Sequence, residues 1–358
     1  MTGHAVHDRV LDFIRDERTA VFETLALDVF SHQFETIAAY RRVCEGRRKT
    51  PATVQGWRDV PPVPALAFKQ LELRCGPAER IFVSSGTTQG QERRSRHAMP
   101  DLRLYHASAV VGLSAFVFPD VPAMRIVSLI PATAERPESS LAQMVSWAME
   151  AFGAAGSATF ATADRFDFTG LADALRQSER DGQPVCLMTT TAALIRLLDR
   201  CRDEGWAFRL PHSSRLMDTG GMKGAPRTLS HRGLLQAVWN ALAIPGYFVT
   251  NEYGMTEMAS QFYDNVIRDR CRGRFTHRAK AGPHWVRTRV LDPGNLQEVA
   301  PGTPGLLCHV DLANAGTAVA VLTEDVGRTT ADGFEIIGRV TGAEARGCSL
   351  ALADFVAR

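Results

Sequence analysis

From residue 125 to about 249, short apolar runs alternate with stretches of helical spacing, and this alternation restricts the fold more than any other feature of the chain. Residues 126–130, 185–188, 216–217 and 247–249 read as short buried strands. Helix candidates lie at 141–153, 169–180, 191–204 and 227–242. Strand–helix alternation of this kind predicts an α/β architecture with parallel-rich sheets flanked by helices. Ligands in such sheets bind beyond the carboxyl ends of the strands. Asp218-Thr219-Gly220-Gly221 and Asn251-Glu252-Tyr253-Gly254 each follow a strand, so they stand where chemistry is expected.

Ahead of this region, residues 6–45 read as helical. Val10, Phe13, Ile14, Phe22, Leu25, Val29 and Phe30 recur at three- and four-residue spacing between charged positions. Pro51, Pro61, Pro62 and Pro64 then predict an extended crossing from Lys49 to Pro64, with Phe68-Lys69 just beyond it. A lysine there can reach a substrate or sit on a solvated surface, and the second is the commoner arrangement. After Asp264 the character changes. Residues 265–300 are rich in Arg, Gly and Pro, and β-type runs at 306–310, 319–322 and 334–337 predict a small β-rich subdomain.

Composition excludes several classes. Apolar residues make up 45% and charged residues 22%, as in an ordinary globular protein, and a formal charge of +2 gives no reason to expect nucleic acid or an anionic membrane as partner. The seven cysteines are scattered and form no Cys-x-x-Cys pair, which suits free thiols in a reducing cytoplasm. Met1-Thr2-Gly3-His4 leads into charged residues and lacks a signal peptide's apolar core, and 104–119 is too short and too polar to span a membrane. The histidines show no metal-ligand spacing.

Two segments carry candidate chemistry. Val83-Ser84-Ser85-Gly86-Thr87-Thr88-Gln89-Gly90 leaves an apolar strand end (Ile81, Phe82, Val83) and is rich in hydroxyls. Its glycines let backbone N–H groups approach an oxyanion while Ser and Thr donate further hydrogen bonds. Arg93, Arg94, Arg96 and His97 follow, and their field favours a polyanion. The same residues also describe a surface turn. Walker, Rossmann and nucleophile-elbow patterns are absent from the chain. The second segment, Asn251-Glu252-Tyr253-Gly254-Met255-Thr256-Glu257, supplies an aromatic face, a hydroxyl and a carboxylate. Tyr253 can stack on adenine, Thr256 can donate to a phosphate oxygen, and Glu257 can hold Mg²⁺. A strand running into the first turn of a helix would carry the same residues.

Together these motifs resemble the adenylate-forming superfamily of acyl-CoA ligases, peptide-synthetase adenylation domains and luciferases. The resembling parts are Ser84-Ser85-Gly86-Thr87-Thr88, Tyr253-Gly254-Met255-Thr256-Glu257, Thr323-Glu324-Asp325-Val326-Gly327-Arg328 and Gly338-Arg339, in the family's order from about 80 to 339. Within it the chain is similar to the acyl-protein synthetase component of the bacterial bioluminescence fatty acid reductase. That similarity rests on the helical start ending in Phe68-Lys69, on Thr219-Gly220-Gly221-Met222-Lys223-Gly224, and on Glu344-Ala345-Arg346-Gly347-Cys348-Ser349-Leu350.

The resemblance implies an adenylating-enzyme domain divided as a helical region at 1–79, a nucleotide-binding core at 80–264, a β-rich subdomain at 265–339 and a short segment at 340–358. It implies an ATP- and Mg²⁺-dependent ligase that activates a fatty or aryl carboxylic acid as its acyl-adenylate and delivers the acyl group to a protein or carrier. ATP would meet Ser84, Ser85, Gly86, Thr87, Thr88, Gly90, Gly220, Gly221, Asn251, Glu252, Tyr253, Gly254, Thr256, Asp325 and Arg339, with Mg²⁺ on Glu257. Asp325 would bind the ribose hydroxyls. The chain departs from the superfamily where Gln89 precedes Gly90. It departs again after Arg339, where 340–358 leaves no room for the mobile carboxy-terminal domain. Lys223 is the candidate substitute for that domain's lysine, and Cys348, beside Arg346, is the candidate acyl acceptor. Two alternatives stay open: a compact acyl- or aryl-CoA ligase, and a non-catalytic nucleotide-binding subunit of a larger complex. Trp147, Phe152, Phe248 and Met255 are apolar enough to line an acid pocket or to be core.

Overall fold

Four helices begin at side chains that accept a backbone N–H left unpaired by the first helical turn. In the computed structural model, which describes residues 3–85, 94–221 and 225–340, Ser139 caps Ser140–Phe152 and Asp167 caps Phe168–Asp181. Thr190 caps Thr191–Asp203 and Ser230 caps His231–Leu242. Gly182, with φ at 67°, ends the second of these in the left-handed conformation that only glycine adopts without strain. The last helix starts later than its spacing predicts because the Ser230 hydroxyl, accepting from Gly233 N at 3.1 Å, fixes the entry.

The described residues divide into two units. One is built from the segments up to Val111, from Met255 to Gln261 and from Ala279 onward; the other from Gly112–Gly254 and Phe262–Arg278.

The second unit contains the alternating region. Its strands lie in the order Ala158–Thr159, Arg125–Ser128, Val185–Thr190, Arg215–Thr219, Val249–Tyr253, all parallel, with Phe262–Asp264 antiparallel on the far side of Val249–Tyr253. Leu171, Leu175, Leu194, Leu198 and Val238 from three of the capped helices pack on Leu187 and Leu216 in one core. Each such side chain, fully buried, contributes about 1.5–3 kcal/mol. The strands run further than predicted: Asp218, Thr219, Asn251, Glu252 and Tyr253 are strand residues, while Gly246–Phe248 forms a 3-10 turn after Pro245. Arg215 is wholly buried in this unit. Its guanidinium donates to both carboxylate oxygens of Asp120 at 2.7 and 2.9 Å and to Val117 O at 2.6 Å.

In the first unit the predicted helical region is three helices, Gly3–Arg15, Phe22–Thr36 and Ala38–Gly46. The β-type runs form an antiparallel sheet, Val286–Leu291, Gly305–Asp311, Ala320–Thr330 and Gly333–Arg339 in that order. Val63–Pro64, at the end of the proline-rich crossing, pairs parallel with Val321 and Leu322. Gln33, fully buried, ties Phe22–Thr36 to the turn after Asp311 by donating to Asn314 O and Ala315 O and accepting from Val319 N. A separate hairpin pairs Arg80–Val83 with Arg96–Met99. Among the described residues no helix is long and apolar enough to cross a membrane.

Candidate functional site

The hairpin brings the two ends of the hydroxyl-rich loop together. Ser84 N donates to Ser95 O at 3.0 Å, and Ser84 Oγ accepts from Ser95 N at 3.0 Å. Arg94 Nε donates to Ser84 O, and Ser85 is exposed. The Ser95 hydroxyl, buried, donates to the carboxylate of Glu257. Within the hairpin, His97, paired with Phe82, donates through Nδ1 to Thr256 O at 2.7 Å. Ser84 and the Thr256-Glu257 turn thus lie beside one another in the first unit.

His97 does not add positive charge there, contrary to the field expected of it. Burial pushes its pKa down to about 4, against the opposing bond to the Thr256 carbonyl, so the ring is neutral near pH 7. A carbonyl only accepts, so the proton sits on Nδ1, and Nε2 accepts from the Thr317 hydroxyl at 2.9 Å. Met255-Thr256-Glu257-Met258 forms a turn closed by Met258 N to Met255 O at 3.1 Å, with no helix following.

Further polar side chains hold this turn. Asn314 donates through Nδ2 to Glu257 O at 2.9 Å and accepts through Oδ1 from Ala259 N at 2.8 Å. Asp311, fully buried, accepts from Ser260 N, Ser260 Oγ and Ala313 N at 2.9, 2.7 and 3.0 Å. Burial raises its pKa to about 6 despite those bonds. With its one proton given to Asp311, Ser260 Oγ accepts from Trp285 Nε1 and Ser108 Oγ, each at 2.9 Å. Glu257 itself is 8% exposed. Burial raises its carboxyl pKa, against the Ser95 hydroxyl and the charges of Arg339 and Lys69. Asp325 faces Arg339 across the last two strands and accepts from its Nε at 2.8 Å.

The remaining described candidates lie in the second unit, at the carboxyl ends of three parallel strands. Thr191 Oγ1 donates to Asp218 Oδ2 at 2.5 Å, Asn251 Nδ2 donates to the same oxygen at 3.1 Å, and Thr219 Oγ1 donates to Glu252 Oε2. Glu252 and Asp218 are buried at 4% and 2% exposure, so both brace the strand ends. Tyr253 is half-buried with its ring 5.9 Å from that of Phe262, and Gly254 is exposed. Among the described residues nothing lies where a side chain would start at Gly220, with φ at +78°, or at Gly221. Trp147, Phe152 and Phe248 are buried in the same unit, where Phe152 stacks on Phe118 and Phe248 lies under the Arg215 guanidinium. An open groove of about 400 Å³ between Phe166–Thr169 and Arg196–Asp203 contains none of the candidates.

Gly86, Thr87, Thr88, Gly90, Lys223 and Cys348 lie outside the described residues. Burial raises the described thiols of Cys44, Cys186 and Cys308 to about 12, and those of Cys75 and Cys201 to about 11. The thiol of Cys271, exposed, is raised as well. None of these is an activated thiolate. Sequence reasoning missed Ser95, Asn314 and Asp311, which belong to no motif, and took His97 for a charge.

Residues 4–357 match the protein family described as "Acyl-protein synthetase, LuxE". The long-chain-fatty-acid–luciferin-component ligase of Vibrio harveyi is 21% identical over 350 residues, which make up 94% of this chain and 89% of that protein. The protein of the same name from Aliivibrio fischeri is 21% identical over 208 residues, 54% of this chain and 51% of its own. Among solved structures, 2-hydroxyisobutyryl-CoA ligase with 2-HIB-AMP and CoA aligns with a TM-score of 0.63 at 15% identity, covering 94% of this chain and 68% of that one. The same ligase in its postadenylation state with R3-HIB-AMP gives 0.62 at 14% identity over 92% and 72%. These two likenesses show a shared fold. The family match spans nearly the whole chain, and the protein belongs to the LuxE acyl-protein synthetases, ligases built on the adenylate-forming fold.

Proposed function

We propose that this protein activates a carboxylic acid with ATP, loads the acyl group on Cys348 and passes it to a partner protein or carrier. A carboxylate is a poor acyl donor because its oxygen will not leave. Attack of that oxygen on the α-phosphorus of ATP forms a C–O–P linkage and breaks the bond to pyrophosphate, leaving AMP as the group to be displaced. The Cys348 thiolate then attacks the acyl carbon, AMP departs, and a thioester remains for the acceptor.

The observation that carries the reading is the convergence on Glu257 in one unit. A buried carboxylate accepts from Ser95 beside the hydroxyl-rich loop, with the Arg339–Asp325 pair close enough to act on it. Mg²⁺ would be held there by the carboxylate of Glu257. Among the described residues no group of three or more His, Cys, Asp or Glu could hold a metal alone. When bound, the ion would supply charge neutralisation at the phosphates. The chain's own part is positional. Ser84, Ser85, Gly86, Thr87, Thr88 and Gly90 would grip the leaving pyrophosphate, and Thr256 would donate to the α-phosphate. Asp325 and Arg339 would fix the ribose. Tyr253, at a strand end of the second unit, is the residue proposed to stack on adenine, and Lys223 the one proposed to serve as the reaction's lysine.

ATP–pyrophosphate exchange driven by an added carboxylic acid tests the first step. Labelled acid should remain on the purified protein, and Cys348→Ser should abolish that label while leaving exchange intact. Persistent label in the variant sinks the cysteine role. Label found only on coenzyme A makes the chain a compact CoA ligase, and absence of exchange with any acid overturns adenylation.

A further inference from the structure

The short 3-10 helix Ala65–Lys69 is placed by its neighbours. Just before it, Val63 and Pro64 pair with Val321 and Leu322 on the strand that carries Asp325. Within it, Phe68 is buried and sets its ring edge-on to His97, centroids 5.5 Å apart, and His97 holds the Thr256 carbonyl. The helix also packs on Arg96–Met99, which leads out of the hydroxyl-rich loop. Its last residue therefore ends an element held between the strand that carries Asp325 and the strand Arg96–Met99, whose His97 holds the Thr256 carbonyl, all in the first unit.

That last residue is a cation with no direct ion pair among the described residues. Lys69 is half-buried, and among the described residues its ammonium has no hydrogen-bond or salt-bridge partner. Two neighbouring cations are engaged: Arg339 with Asp325, Arg94 with Ser84 O. Its charge reaches Glu257, whose carboxyl pKa it helps to lower against the rise that burial imposes. Holding a half-buried ammonium unpaired is unfavourable in the empty protein and becomes favourable when an anion arrives.

We propose that Lys69 is a catalytic residue that donates to a phosphoryl oxygen of ATP beside Glu257. This rests on reading the Glu257 site as an adenylating one. Lys69 takes no covalent part. It offsets the negative charge that grows on the oxygens as the bond to pyrophosphate lengthens, and the side chain's length lets it follow the leaving group.

The test compares full-length wild type with Lys69→Met, which keeps the stem and removes the charge, and Lys69→Arg. Equilibrium dialysis with labelled Mg·ATP, without acid, measures binding, and acid-driven exchange measures the chemistry. Lys69→Met should bind Mg·ATP about 10-fold more weakly and exchange on the order of 10²-fold more slowly. Lys69→Arg should recover part of both, with the KM for the acid unchanged throughout. Should Lys69→Met fail to fold, wild type is acetylated with a succinimidyl ester with and without Mg·ATP. Protection of Lys69 by Mg·ATP supports the assignment, and equal labelling overturns it. A Lys69→Met protein that binds and exchanges like wild type overturns it while leaving the adenylation reading intact. Lys69-dependent binding of Mg·ATP with no exchange under any acid removes the adenylation reading and leaves Lys69 as a phosphate ligand. Absence of Mg·ATP binding by wild type removes both.

Discussion

His97 and Thr256 are joined by a 2.7 Å hydrogen bond across 159 residues of sequence, from a ring that is wholly buried and neutral. Burial holds the ring's pKa at about 4 against an ordinary 6.5. Between those values the unfolded chain binds the proton and the folded chain does not, so this contribution is whole above pH 6.5 and is lost as pH falls through about 4. The full difference is about 3 kcal/mol. His309, held at about 3 by burial, acts in the same direction. Asp311, raised from 3.8 to about 6, acts in the opposite one, its contribution fading as pH rises from 3.8 through 6. Urea midpoints measured from pH 8 to pH 4.5 should fall for wild type, and His97→Asn should flatten the fall without abolishing it.

Glu257→Gln keeps the shape of the side chain and removes the charge that would hold Mg²⁺. Acid-driven exchange should drop by about 10²–10³-fold, with the circular dichroism spectrum unchanged. An unaffected rate takes Glu257 out of the site.

The Ser95 hydroxyl lowers the Glu257 pKa against the rise caused by burial. Ser95→Ala removes that bond, so the carboxyl should hold its proton to higher pH. The acid limb of the exchange pH profile should move upward, where a general loss of structure would lower the plateau without moving the limb.

Asp325 and Arg339 pair with each other at 2.8 Å. Asp325→Asn and Arg339→Gln should each raise the KM for ATP by roughly 10-fold, equivalent to about 1.4 kcal/mol. The double variant should lose less than the product of the two, because each single change also breaks the shared pair.

Arg215 is 0% exposed and donates to Asp120 through both terminal nitrogens. Asp120→Asn leaves the buried guanidinium short of its counter-charge and should cost about 3–5 kcal/mol in the second unit. Urea unfolding followed by tryptophan fluorescence reads that loss.

The second unit was largely legible in the chain because its signals are local. Strand runs and helical spacing occupy windows of a dozen residues, and Ser139, Asp167, Thr190 and Ser230 mark helix starts by chemistry that acts over three residues. What holds the Thr256-Glu257 turn was not legible. Asn314 sits in an unremarkable Leu312-Ala313-Asn314-Ala315 run and reaches Glu257 across 57 positions. Asp311 reaches Ser260 across 51. Neither spacing belongs to any periodicity, and a buried amide or carboxylate leaves no mark in composition. His97 was misjudged for the same reason: charge was assigned from residue type, and burial removes it. The strand ends Asp218 and Glu252 looked like loop chemistry until their bonds to Thr191 and Thr219 showed them braced.

The chain leaves the second unit at Gly254, gives Met255–Gln261 to the first, and returns at Phe262. During synthesis this imposes an order. Nearly all of the parallel sheet has emerged from the ribosome by the time Asp264 appears, whereas the partners of Thr256 and Glu257 arrive piecemeal: Ser95 and His97 before most of the second unit, Asn314 and Arg339 only after all of it. Until then the nascent chain must carry an acidic, half-anchored turn, and no single cut between Ser95 and Arg339 leaves a fragment with the Glu257 surroundings complete.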